Sequence, residues 1–164
     1  MMLFGMIMRI FVMRHGQAQA MACSDQNREL TTHGQYEVES MANWLEQNDQ
    51  CFDAIFVSPY IRAQQTAKIV KNIVESSPEL TTLEFITPED SAKQMHDYID
   101  GAFSNNPKAK VLIVSHMPLV SYLVSEFTCG EQAPLFQTAA IAEVDYNVSS
   151  MKGQLIDQIS PAKL

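Results

Sequence analysis

The segment that most constrains the fold is a short apolar run in the second half of the chain, Lys110–Ser115 (KVLIVS). Its aliphatic residues are continuous, whereas a strand with one solvated face would alternate apolar and polar residues. A continuous run is typical of a strand at the centre of a parallel sheet, where both faces are covered. Because parallel neighbours are joined by crossovers that are usually helical, the rest of the chain should alternate strands with helices.

The remaining sequence shows this alternation. Strands are predicted in the run that leads to Arg14, and at Phe52–Val57, Leu83–Ile86, Ala139–Tyr146 and Gln154–Ile159. Helices are predicted at about 33–48, from Ser58 (N-cap) and Pro59 (first position) to about Ser76, from Pro88–Ser91 to Asn105, and from Pro118 onward. We therefore predict one α/β domain over residues 1–164, with a three-layer, Rossmann-like fold. Its central sheet should be mainly parallel, flanked by helices, with an antiparallel strand at one edge.

Charge and hydropathy restrict the partners of this chain. The formal net charge is -8, which argues against binding nucleic acid, because proteins that do so carry a basic face. The apolar N-terminal stretch is interrupted by Arg9 and Arg14 and is too short to span a membrane. We therefore expect neither a signal peptide nor a membrane partner, with Met1 or Met8 as the first residue. A monomer is expected.

The cysteines indicate the cellular compartment. They are widely spaced and form no CxxC pair, which fits neither a disulfide framework nor a zinc site: Cys23, Cys51 and Cys129. Each is expected to be a small buried hydrophobic residue. The pattern predicts a reducing compartment and hence a cytoplasmic protein.

Cationic and nucleophilic side chains follow three of the predicted strands. Arg14-His15-Gly16 ends the first, Arg62 lies just beyond the second, and Ser115-His116 ends the central one. The carboxyl ends of parallel strands meet at one edge of a sheet, so these side chains should converge on one pocket. Guanidinium groups and helix N-termini both suit phosphate oxygens. The sequence therefore predicts a phosphate site.

A histidine in such a pocket can act as a nucleophile. An imidazole with a reference pKa of about 6.5 is substantially unprotonated near neutral pH and can attack phosphorus in line. The product is a phosphohistidine intermediate, which water then cleaves. The surrounding cations stabilise charge on the equatorial oxygens. This chemistry needs no metal, the sequence contains no metal-ligand spacing, and we expect no cofactor.

Three motifs in this order resemble the histidine phosphatase (phosphoglycerate mutase-like) superfamily. They are Arg14-His15-Gly16, Ser58-Pro59-x-x-Arg62-Ala63-x-x-Thr66-Ala67 and Ser115-His116. The resemblance implies a Rossmann-like fold with His15 as the nucleophile. It also implies that Arg14, Arg62 and His116 complete the phosphate pocket.

Other segments are similar to the small bacterial SixA-type phosphohistidine phosphatases. They are Arg28-x-Leu30-Thr31-x-x-Gly34, Met41-Ala42-x-Trp44-Leu45, Ser115-His116-x-Pro118-Leu119-Val120 and Pro134-x-Phe136-x-Thr138-x-Ala140-Ile141-Ala142. This resemblance implies a phosphorylated histidine-containing phosphotransfer domain as substrate, with Arg28 and Gln17 as further candidates for contact with it. Such chains commonly carry an acidic residue where this one has Gln17, which can hydrogen-bond but carries no charge. Asp25 and Thr31 are expected to shape the loop.

The leaving group of the reaction bears on the choice of substrate. A sugar or alcohol leaves poorly as an alkoxide and requires a general acid, and the sequence alone assigns that role to none of Glu84, Glu89 or Asp90. An imidazole leaves without a dedicated carboxylic acid, so protein phosphohistidine is favoured. The alternatives are a small-molecule phosphomonoesterase of the same superfamily and a catalytically weak module that binds phosphotransfer domains. His33 and His96 are expected at the surface.

Overall fold

The computed structural model describes residues 6–164, and its strands and helices alternate as predicted. In chain order they are β1 (Ile7–Arg14), α1 (Thr32–Gln47), β2 (Ala54–Val57), α2 (Ile61–Ile73), β3 (Leu80–Thr82), α3 (Ala92–Ala102), β4 (Lys110–Ser115), α4 (Leu119–Phe127), β5 (Ile141–Asn147) and β6 (Lys152–Ile159). Short 3-10 helices lie at Asp25–Asn27 and Pro161–Lys163. Within the described residues, no helix has both the length and the hydropathy that a membrane span requires. Of the two candidate first residues, Met1 lies outside the described residues and Met8 lies in β1.

One mixed sheet forms the middle layer, in the order β3-β2-β4-β1-β5-β6. The strand β4 lies between β2 and β1, pairs in parallel with both and is buried except at Lys110, as its composition predicts. The chain reverses at β5, which is antiparallel to β1 and to β6. The prediction of an antiparallel edge strand is confirmed for β6, although β5 is the strand that runs against the others.

Helices cover both faces of this sheet. Successive side chains of β1 point to opposite faces, so Phe11 and Met13 pack with the buried residues of α1 and α2. Ile10 and Val12 pack with those of α3 and α4 on the other face. The predicted three-layer α/β architecture is confirmed.

Two predicted elements are displaced in the structure. The short strand lies at Leu80–Thr82 rather than Leu83–Ile86, because the ladder with β2 ends at Thr82 and the chain then turns. The second helix begins at Ile61, not at Pro59, and ends at Ile73 rather than near Ser76. The Ser58 hydroxyl does not cap this helix, because the first helical residue is Ile61. It accepts from the Tyr60 N–H at 3.3 Å and lies 2.7 Å from Nε2 of His116.

Two predictions of side-chain exposure are wrong. His96 is only 7% exposed, because its ring reaches the Tyr146 hydroxyl in the core of the α3–α4 layer. All three cysteines are exposed rather than buried, since each lies in a connection outside the helices and strands. His33 is exposed, as predicted.

Candidate active site

The three predicted strand ends converge around His15. The ring centroids of His15 and His116 are 5.0 Å apart. The Arg62 side chain reaches the same place from α2, where its Nε lies 3.2 Å from Nε2 of His15. Backbone hydrogen bonds fix the strand ends, since His15 donates to the Ser115 carbonyl at 3.0 Å. The parallel register of β1, β4 and β2 thus assembles two imidazoles and a guanidinium.

The two motif glycines allow α1 to approach the end of β1 closely. A Cβ atom on Gly16 would lie 2.6 Å from the Gly34 carbonyl oxygen, and one on Gly34 would overlap the Gln17 backbone. The Thr31 hydroxyl caps α1 by accepting from the Gly34 N–H at 2.9 Å. Only glycine fits this contact, which brings the first turn of the helix against the residue that follows His15.

Hydrogen bonding selects the reactive nitrogen of His15. Its Nδ1 lies 2.7 Å from the carbonyl oxygen of Gly16, which requires a proton on Nδ1. The lone pair therefore resides on Nε2, where the Arg62 Nε–H donates to it. Burial, with smaller contributions from the cations Arg62 and Arg14, lowers the pKa of His15 to about 3, against the opposing effect of the Gly16 carbonyl. A neutral, oriented imidazole is the result.

His116 is neutral for the same reason. Burial first, then His15 and Arg62, lower its pKa to about 2. With its Nε2 near the Ser58 hydroxyl, its Nδ1 is buried without a hydrogen-bond partner among residues 6–164. The Nε of Arg14 is likewise buried and unpartnered within that range. Two nitrogens of the predicted pocket are therefore available to an external acceptor.

The arginines are held by backbone and carboxylate groups. Arg14 donates through Nη1 to the Phe136 carbonyl at 2.8 Å, and burial lowers its pKa. Arg62 donates to the Asp25 carbonyl at 2.6 Å and to its Oδ2 at 3.2 Å. Asp25 also accepts from Nη1 of Arg28 at 2.9 Å, and this hydrogen bond is the main reason that its pKa lies below the usual value. Asp25 thus links the two arginines, beyond shaping the loop as predicted.

Gln17 and Arg28 lie in the loop between β1 and α1. The Thr31 hydroxyl donates to Oε1 of Gln17 at 2.8 Å. Arg28 donates through Nε to the Gln19 carbonyl at 2.6 Å. This loop is ordered by an antiparallel bridge between Ala18 and Leu30. Arg28 is near enough to contribute to the lowered pKa of His15, whereas the Gln17 side chain is engaged within the loop.

The three carboxylates considered as general acids are either hydrogen-bonded to other groups or exposed. Asp90 accepts hydrogen bonds from the Thr87 N–H at 2.7 Å and from its hydroxyl at 2.6 Å. Glu84 and Glu89 are exposed. Among residues 6–164, no hydrogen bond joins any of the three to His15, Arg62 or His116. In the same residues, no group of His, Cys, Asp and Glu side chains has the arrangement of a metal site.

The sequence reasoning missed Glu37. Its carboxylate accepts from the Gln17 N–H at 2.9 Å and from the Thr138 hydroxyl at 2.7 Å, so it contacts loops on both sides of His15. The signal that could have found it is helical periodicity, because Glu37 lies three residues after the packed Gly34 and faces the same loop.

Comparison with known proteins agrees with this geometry. The profile of the histidine phosphatase superfamily (branch 1) matches residues 10–86. The phosphohistidine phosphatase SixA of Escherichia coli (strain K12) is 40% identical over 157 residues, 96% of this chain and 96% of that protein. The solved structure of the protein histidine phosphatase SixA complexed with tungstate has a TM-score of 0.88 at 39% identity, covering 94% of this chain and 97% of that one.

A more distant structure extends the fold comparison. The phosphoglycerate mutase of Bacillus anthracis str. Sterne superposes with a TM-score of 0.77 over 96% of both chains, at 14% identity. At that identity the likeness concerns the fold alone. The matched profile and the identity to SixA over nearly the whole chain establish that this protein belongs to the histidine phosphatase superfamily.

Proposed function

We propose that this protein is a phosphohistidine phosphatase that uses His15 as its nucleophile. The observation that carries the proposal is the state of His15: a buried, neutral imidazole whose Nδ1 is fixed by the Gly16 carbonyl and whose Nε2 faces Arg62. Such a nitrogen needs no deprotonation before it attacks phosphorus. The relatives named as phosphohistidine phosphatases support the same activity.

The proposed reaction has two displacements. In the first, the lone pair of His15 Nε2 forms a bond to phosphorus while the substrate's P–N bond breaks. The departing nitrogen keeps that electron pair, and the substrate ring, protonated by solvent on its other nitrogen, leaves as a neutral imidazole. In the second, water attacks the phosphoryl group on His15. The new P–O bond forms, the bond to Nε2 breaks, and the water's proton leaves with solvent or phosphate.

The arginines and His116 are proposed to bind the phosphoryl oxygens. Nε of Arg14 and Nδ1 of His116 are buried, unpartnered within residues 6–164 and adjacent to His15, so they can donate to an oxyanion. Arg62 would exchange part of its contact with Asp25 and His15 for the phosphoryl oxygens. Arg28 is proposed as an outer contact. The relative bound to tungstate, a tetrahedral oxyanion, fits such a site.

The proposed substrate is a phosphorylated histidine-containing phosphotransfer domain. An alkoxide leaving group needs a general acid, and none of Glu84, Glu89 and Asp90 makes a hydrogen bond to the His15 cluster among the described residues. A phosphohistidine substrate avoids this need, because its leaving group is an imidazole. The enzyme is proposed to act without a metal, and as a cytoplasmic monomer.

A substrate panel tests this proposal. The purified protein is given a phosphorylated phosphotransfer domain, sugar phosphates and phosphoglycerates, each with and without a chelator. We expect the phosphorylated domain to be turned over fastest and the chelator to have no effect. The variant Lys68→Ala, which removes an exposed cation from α2, is the control and should keep full activity. Faster turnover of an ester, or inhibition by the chelator, would contradict the proposal.

A further inference from the structure

A carboxylate on α1 joins the two loops that flank His15. Glu37 accepts a hydrogen bond through Oε1 from the N–H of Gln17, in the loop that leaves β1. Its Oε2 accepts from the hydroxyl of Thr138, in the loop that enters β5. The two distances, 2.9 and 2.7 Å, are those of well-formed hydrogen bonds. One side chain therefore connects segments that are distant in sequence.

The loop that contains Thr138 makes hydrogen bonds to two residues proposed to act on phosphate, Arg14 and His15. The Phe136 carbonyl accepts from Nη1 of Arg14 at 2.8 Å. The Ala139 N–H donates to the His15 carbonyl at 2.9 Å. A displacement of this loop would therefore move both the arginine side chain and the backbone of the nucleophile.

Ala139, the residue after Thr138, has a strained backbone conformation that neighbouring contacts must maintain. Ala139 has a φ of 61°, in the left-handed region that costs free energy for a residue with a Cβ atom. A conformation of this kind persists where surrounding contacts determine it. The hydrogen bond between Thr138 and Glu37 is one such contact, directly beside the strained residue.

The burial and the partners of Glu37 also indicate that its side chain is held in place between the two loops. Its side chain is only 12% exposed, and a carboxylate so placed is costly unless donors satisfy it. Two donors do so, and His33 lies 3.9 Å from Oε2. The negative charge also stabilises the charged form of Arg14, opposing the effect of burial on its pKa. Glu37 is thus bound between the two loops.

We propose that Glu37 is a positioning residue, whose hydrogen bonds to Gln17 and Thr138 hold Arg14 and His15 in the geometry that binds and receives the phosphoryl group. This inference rests on the proposed function, because it assigns Glu37 to support the nucleophile and the phosphate-binding arginine. Glu37 itself does not touch the phosphoryl group in this proposal.

Four substitutions separate the hydrogen bonds from the charge. Glu37→Ala removes both acceptors, and Thr138→Val removes one donor at nearly constant shape. Glu37→Gln keeps an acceptor for Gln17 and offers an amide N–H to the Thr138 hydroxyl, while Thr138→Ser keeps the hydroxyl. The control Glu39→Gln removes the same charge from an exposed position of the same helix. Each variant is assayed on a phosphorylated phosphotransfer domain and titrated with sodium tungstate by calorimetry, well below its melting temperature.

We expect Glu37→Ala to lower kcat/KM by about 10- to 100-fold and to weaken tungstate binding about 10-fold, because small misplacements of binding groups are costly. Thr138→Val should lower kcat/KM and weaken tungstate binding by roughly a third of the fold-changes expected for Glu37→Ala, with kcat reduced more than KM is raised. The conservative variants Glu37→Gln and Thr138→Ser should stay within about threefold of the unsubstituted protein, since they restore the hydrogen bonds.

Distinct results would overturn the inference. Wild-type values of kcat/KM and tungstate affinity in Thr138→Val would do so, even if Glu37→Ala failed to fold. Equal impairment of Glu37→Gln and Glu37→Ala would assign the effect to charge rather than to positioning, and a comparable loss in Glu39→Gln would make it non-specific. If the unsubstituted protein bound tungstate but did not dephosphorylate the domain, the proposed function would fail while the tungstate titrations still tested Glu37.

Discussion

Two buried histidine clusters lie at opposite ends of the same sheet. His15 follows the carboxyl end of β1, whereas His96 meets Tyr146, which pairs with Met8 near the amino end of β1. The exposed fractions are 6% for His15 and 7% for His96, so burial does not distinguish them. Their partners do. His15 is surrounded by guanidinium groups and a second imidazole, whereas His96 is surrounded by a phenol and carboxylates.

The partners determine what each ring can do. The Tyr146 hydroxyl lies 2.6 Å from Nε2 of His96 and donates to Oδ1 of Asp100 at 2.7 Å, while Glu126 lies 3.4 Å from Nδ1. Burial, with Asp100, raises the pKa of Tyr146. In this network, Oδ2 of Asp100 is buried without a hydrogen-bond partner among residues 6–164 and lies 3.4 Å from Nε2 of His96, so the unpartnered atom is an acceptor. In the His15 cluster the unpartnered atoms are nitrogens of Arg14 and His116, as the proposed anion site requires.

The largest expected effect is that of removing the nucleophile. His15→Ala should lower turnover of the phosphorylated domain at least about 10⁴-fold, because no other group in the cluster is oriented to attack phosphorus. Its melting temperature should stay near that of the unsubstituted protein, as measured by circular dichroism. Retained turnover in a folded His15→Ala protein would remove the distinction between the two clusters.

The next largest effect is expected for the removal of the Arg62 side chain. Arg62→Ala should lower kcat/KM by about 10²- to 10³-fold, since it removes a guanidinium that stabilises charge on the transferring phosphoryl group. Lys68→Ala, which removes an exposed cation from the same helix, is the matched control. Steady-state kinetics and tungstate titration would measure both. An equal loss in the two variants would mean that the net charge of α2, and not the Arg62 contact, matters.

The cluster at the other end should affect stability instead. Tyr146→Phe removes the hydroxyl that joins His96 to Asp100, so it should lower the free energy of unfolding by about 1–3 kcal/mol. The kcat/KM should stay within about twofold of the original value, because the network lies at the far end of the sheet. Urea unfolding and kinetics on the same preparation would measure the two quantities. A large loss of activity with unchanged stability would contradict the comparison.

A further prediction concerns acid stability. The pKa of His15 is lowered to about 3 in the folded protein, from about 6.5 in the unfolded chain. Between those values the unfolded chain binds more protons, so the stability of the folded state falls as the pH drops below about 6.5. The contribution is about 1.4 kcal/mol per pH unit for each such histidine. In urea titrations from pH 6.5 to 4.5, His15→Gln should lose stability less steeply than the original protein, and an unchanged slope would refute the buried neutral state.

The convergence of His15, Arg62 and His116 was predictable from the sequence. Parallel strands leave their carboxyl ends at one edge, so residues that follow such strands lie along that edge. Their contact also requires that β2, β4 and β1 be neighbours, which only the structure reveals. The chemistry of the residue types then indicates an anion. The same reasoning could not indicate that Asp25 joins Arg62 to Arg28, because that contact depends on how a long loop folds back over the site.

The failures share one physical cause, which is that a distant partner decides the role of a side chain. Ser58 looked like a helix cap, but His116, 58 residues later, takes its hydroxyl. His96 looked like a surface residue, and its burial depends on Tyr146, which lies 50 residues further along. Glu37 was not singled out in the sequence, and one of its two partners, Thr138, lies 101 residues further along. Local pattern carries no information about such pairs.

The most direct test of the central claim is to locate the phosphoryl group during turnover. The protein is mixed with a phosphorylated phosphotransfer domain, quenched in base within one turnover, digested and mapped by mass spectrometry. We predict a phosphoryl adduct on His15, with none in His15→Ala. An adduct on His116 or on another residue, or rapid turnover with no adduct on His15 at any quench time, would contradict the account.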